Sequence, residues 1–84
     1  MNNNDHLLKE FDQQAVYEIV VNGAVLSSIN LRFEGLSVVS GYLADGKPKT
    51  VLTGLFTDQA RLGELLNIIY EQQLAIISVR KISE

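Results

Sequence analysis

The stretch LSSINLRFEG, residues 26–35, decides the architecture of this chain. Ile29, Leu31 and Phe33 alternate with Asn30, Arg32 and Glu34, as the two sides of a half-buried strand do. Ser27 stands just ahead of them, and in a short helix capped by that hydroxyl Ile29 and Phe33 fall one turn apart. A helix here gives the element order β-α-β-β-α-β. A strand, with Asn22-Gly23 as its hairpin turn, gives an antiparallel sheet of four to five strands followed by one C-terminal helix. Both are α+β.

The flanking segments read more directly. AVYEIVV (15–21) is rich in β-branched and aromatic residues, with Tyr17, Ile19 and Val21 on one side and Val16, Glu18 and Val20 on the other, so it predicts a strand. Two β-rich runs within 36–56 flank Asp45-Gly46, a dipeptide suited to the positive φ angles of a type I′ hairpin turn. Pro48 has no N–H and belongs at the start of the second run or at an unpaired position. In FTDQARLGELL (56–66), Thr57 or Asp58 can cap a helix, and Leu62, Leu65, Leu66 and Ile69 line its apolar face. AIISVRKI (75–82) alternates again, placing Ala75, Ile77 and Val79 on one side of a last strand. Residues 1–14 are rich in Asn and Gln and read as a mobile leader ahead of a single domain at 15–84. Leu7, Leu8 and Phe11 lie at helical spacing behind Asn4-Asp5, so the leader can form a short helix that docks on another protein.

Composition excludes several chemistries. The 84 residues contain no cysteine and one histidine, His6, which leaves no thiolate or His-based metal site and no cysteine nucleophile. The absence of cysteine suits a cytoplasmic protein. Seven basic residues are scattered among ten acidic ones for a net charge of −3, without the basic face that nucleic acid requires. No apolar run reaches the roughly 20 residues of a membrane helix. Glu64 and Glu71 share a helix side but lie two turns, about 10 Å, apart. No serine sits in a nucleophile elbow, and the six glycines make no phosphate-binding spacing. Tyr17, Phe33, Tyr42 and Phe56 fit core or interface packing better than a base-stacking platform, because basic partners are missing.

Taken together, residues 50–82 resemble a family of short, uncharacterised bacterial proteins whose final third reads T-x-L-x-G-x-x-x-D-Q-A-x-L-x-x-L-L-x-x-I, followed by a strand ending in S-V. The matching positions are Thr50, Leu52, Gly54, Asp58, Gln59, Ala60, Leu62, Leu65, Leu66, Ile68, Ser78 and Val79. Upstream, Gly23, Leu26, Ser27 and Phe33-Glu34-Gly35-Leu36 match more loosely. Many members carry His-Gly after the position of Leu62, where this chain has Gly63-Glu64. The resemblance implies a helix over 26–35, and with it a ferredoxin-like sandwich. LGELLNIIYEQQLAIISVRKI also has the outline of an ACT domain, which implies paired domains that bind amino acids.

These readings converge on a small, non-enzymatic protein-interaction module without cofactor or metal. An ACT-like amino-acid sensor is the alternative, and a small enzyme the third. Asp58 and Gln59 act as a helix cap in the first reading. In the second they bind an amino or amide group, with Gly63 admitting a ligand or a backbone. Both faces of the 36–56 hairpin look apolar: Leu36, Val38, Tyr42, Val51 and Leu55 fall on one, and Val39, Leu43, Leu52 and Phe56 on the other. One helix cannot cover both, so a homodimer is expected through the uncovered face or an edge strand, with the first set as the candidate interface.

Overall fold

The computed structural model describes residues 14–26 and 28–83. The leader, except Gln14, and the capping residue Ser27 lie outside the described residues. In order come β1 (Ala15–Asn22), α1 (Ile29–Arg32), β2 (Ser37–Tyr42), β3 (Pro48–Phe56), α2 (Gln59–Glu71) and β4 (Ala75–Ser83). The strands form one antiparallel sheet in the order β2-β3-β1-β4, so the domain is α+β with a four-stranded sheet and two helices.

The 26–35 stretch resolves as helix for a visible reason. Ile29 and Phe33 are 2% and 4% exposed, whereas Leu31 between them is 89% exposed. A strand would have sent all three to one face; one helical turn sends only the outer two into the core. Ser28 precedes this turn without capping it through its side chain.

β1 alternates as its sequence predicts. Ala15, Tyr17, Ile19 and Val21 are buried, with half-buried residues between them. They share one core with Ile29 and Phe33 of the α1 segment, Leu52 and Phe56 of β3, and Leu62, Leu65 and Ile69 of α2. Both helices therefore cover the same face of the sheet. The opposite face carries Val16, Glu18 and Val20 from β1 and Val51, Thr53 and Leu55 from β3, and among the described residues no helix lies over it. Tyr17, Phe33 and Phe56 meet edge-on or tilted in the core, at 6.2 and 6.4 Å between ring centroids, and so form no exposed platform with Tyr42.

The hairpin departs from expectation by one residue. Instead of a two-residue type I′ turn at Asp45-Gly46, three residues, Ala44 to Gly46, form the loop. The N–H of Gly46 donates to the Leu43 carbonyl at 2.9 Å, and that of Leu43 to the Lys47 carbonyl at 2.8 Å. Only Gly46 takes a positive φ, +87°. This is a β-turn closed by a left-handed glycine. The extra residue pairs Val38 with Leu52 and Val39 with Val51, which inverts the side assignment of one strand relative to the other.

β4 departs similarly. Two bulges interrupt its pairing with β1. Val79 stands opposite buried Ile19 and Ile76 opposite buried Val21, so these two, and not Ala75, Ile77 and Val79 together, lie on the helix-covered face.

Backbone closure at the loop ends is sequence-specific. Thr50, 1% exposed, donates its hydroxyl to the Gly23 carbonyl at 2.8 Å and accepts from the Val25 N–H at 3.2 Å. Gly23, at φ +119°, lies so close to Leu74 that a Cβ there would stand 2.8 Å from its Cδ2. α2 ends in a Schellman arrangement: Gln73 takes φ 61° and the Leu74 N–H reaches the Ile69 carbonyl at 3.4 Å.

Candidate functional site

The junction between β3 and α2 holds the three candidate ligand residues. Asp58 is extended, and its Oδ1 accepts the backbone N–H of Arg61 at 2.8 Å. That bond satisfies one of the four free donors of the first turn, which is the chemistry of an N-cap. Gln59 and Gly63 are exposed on α2. A Cβ at Gly63 would meet no atom within 4 Å, so among the described residues no backbone closes on it. Glu64 and Glu71 go to separate partners: Glu64 to Arg61 at 2.7 Å and Glu71 to Asn67 at 3.4 Å.

Arg61 is the residue at this junction that the sequence did not single out. Its guanidinium donates to the Arg32 carbonyl at the end of α1 and to Glu64, and lies 4.2 Å from the Phe33 ring centroid. The side chain thus ties α2 to α1. Spacing from Asp58 places Arg61 one turn along the helix, but nothing local indicates that Phe33 lies beneath it.

The expected interface set does not share a face. Leu36 and Val38 turn toward the helices and pack against the core, while Val51 and Leu55 lie on the uncovered side. The cause is the three-residue loop: a two-residue turn would have put the set together, and the added residue separates it. Gly54 accommodates this packing, because a Cβ there would stand 3.0 Å from Leu36 Cδ1. Tyr42 remains 75% exposed at the end of β2.

β4 exposes apolar side chains as well. Ile76, Ile77, Val79 and Ile82 are 38%, 50%, 43% and 43% exposed. Among the described strands β4 stands at the end of the sheet, beside β1. On the uncovered face, Arg80 bonds Glu18 across the strands at 3.0 Å. At the start of β4, an open cleft of about 520 Å³ is lined by Tyr70, Glu71, Gln73, Leu74 and Ala75. Among the described residues no three His, Cys, Asp or Glu side chains group to hold a metal, and no helix is long and apolar enough to cross a membrane.

The family described as Domain of unknown function (DUF8691) matches residues 16–80. The chain belongs to that family. No curated protein and no solved structure matches it. In this DUF8691 domain the matched span begins within β1 and ends within β4, so it takes in all four strands and both helices. Membership is consistent with a small protein of the kind the final third resembles. It does not bear on the Asp-Gln-Ala motif as such or on the ACT outline.

Proposed function

We propose that this chain is a non-enzymatic protein-interaction module built on a ferredoxin-like scaffold, and that it works as a homodimer. The element order, the central β1 and β3, and the two helices on one face support the ferredoxin-like reading. The observation that carries self-association is the apolar outer strand: four large aliphatic side chains of β4 stay between 38% and 50% exposed. They stand beside Arg80 and Lys81 as aliphatic surface left in water, and surface of this kind marks a site of association.

The capping bond of Asp58 supports the structural reading of the β3–α2 junction over the amino-acid-sensing one, since the carboxylate oxygen is already engaged. Multi-angle light scattering of the full chain at micromolar concentration tests the proposal. The mass of two chains is expected. The mass of one chain throughout the range would overturn it.

A further inference from the structure

The self-association proposed above needs a surface that fits its own copy. We infer that the uncovered face of the sheet is that surface: two copies stack their sheets face to face about a two-fold axis running along the strands, between β1 and β3, with both helix layers outward. This placement rests on the homodimer reading and adds to it a surface and a register.

Strand pairing arranges the face in rows. Val39, Val51 and Val20 form one row across β2, β3 and β1, and Leu55 with Val16 forms a second. Val39 and Leu55 are 56% and 54% exposed, and the other three are half-buried. Between the two apolar rows lies a polar one, Ser37, Thr53, Glu18 and Arg80. On the other side of the valines, Lys49 pairs with Asn22.

The axis lies at the middle of the strand order β2-β3-β1-β4. Rotation about it exchanges β3 with β1 and β2 with β4, and keeps every residue in its own row. Val51 therefore meets Val20 of the second copy, and Leu55 meets its Val16, so both apolar rows are covered. A two-fold axis across the strands, along the valine row, would also set valine on valine. It would leave Leu55 and Val16 beyond the end of the second sheet, in water.

Charge selects the same arrangement. Glu18 falls opposite Thr53, Arg80 opposite Ser37, and Lys49 opposite Asn22, so each charge meets a neutral hydroxyl or amide and no like charges oppose each other. The Glu18–Arg80 bond of 3.0 Å stays closed. Removing an ion pair from water is costly unless further hydrogen bonds satisfy it, and the two hydroxyls supply them. The second copy's β2, through Val39, comes over β4 at Ser78, beside Ile77, which the register skips at a bulge and which is 50% exposed.

Four strands about 4.8 Å apart and about eight residues long at ~3.4 Å each give a plane of ~19 by ~27 Å, hence ~500 Å² per copy and ~1,000 Å² for the pair. Specific interfaces begin at about that area, so the dimer is expected to dissociate on dilution.

Because the chain has no cysteine, a single introduced thiol reports proximity cleanly. Val51→Cys, beside the axis, is expected to give a covalent dimer with a short bis-maleimide. Leu31→Cys, on the helix side and 89% exposed in the parent, is not. In parallel, Val51→Lys sets two ammonium groups beside the axis and is expected to reduce the scattering mass from two chains to one, with its far-UV circular dichroism unchanged. A folded Val51→Lys dimer, or cross-linking at Leu31→Cys that equals or exceeds that at Val51→Cys, would overturn the face-to-face interface while leaving self-association standing. A monomeric parent chain would overturn both. Should Val51→Lys fail to fold, the pair of cysteine variants decides alone.

Discussion

Thr50 is a buried polar residue in a row of β3 side chains that otherwise enter the core. Its hydroxyl satisfies the Gly23 carbonyl and the Val25 N–H together, so it fixes where the chain leaves β1 for α1. Thr50→Val keeps the shape and removes both bonds, leaving two backbone groups with reduced partners. A loss of about 1–3 kcal/mol is expected by urea denaturation. Asp58→Ala removes a single capping bond at an exposed site, and the expected loss is smaller, about 1 kcal/mol. Of these two residues, Asp58 was legible from its place before an apolar helical stripe. Thr50 was not, because its partners lie 25 and 27 residues away in sequence.

At the scale of elements, two glycines with equally empty surroundings are expected to respond with opposite signs. Among the described residues a Cβ at Gly46 or at Gly63 would meet nothing within 4 Å, so sterics with neighbours decide neither case. Gly46 holds φ +87°, where an L side chain strains against its own backbone, and Gly46→Ala is expected to destabilise the hairpin by about 1–2 kcal/mol. Gly63 sits in an exposed helix interior, where glycine is entropically unfavourable, and Gly63→Ala is expected to stabilise by up to about 1 kcal/mol. Thermal unfolding of both variants checks the pair. α2 and β1 were readable from the sequence because each element's burial period is set within the element itself. The hairpin register and the faces of β4 were not. One residue in the loop, or one bulge, inverts every later side chain, and neither Asp45-Gly46 nor AIISVRKI records that insertion.

For the whole molecule, the sequence revealed an excess of apolar surface over what two helices can cover, but not where the excess lies. The fold packs Leu36 and Val38 against the core and leaves the aliphatic residues of β4 partly in water. Exposed aliphatic surface of this kind marks a site of association, and a second copy of the chain is its proposed occupant. The measurement closest to this claim is amide hydrogen exchange of the full chain as a function of protein concentration. Exchange across β4 is expected to be slower at micromolar concentration than on dilution. Exchange that does not change with concentration anywhere in the sheet would contradict it.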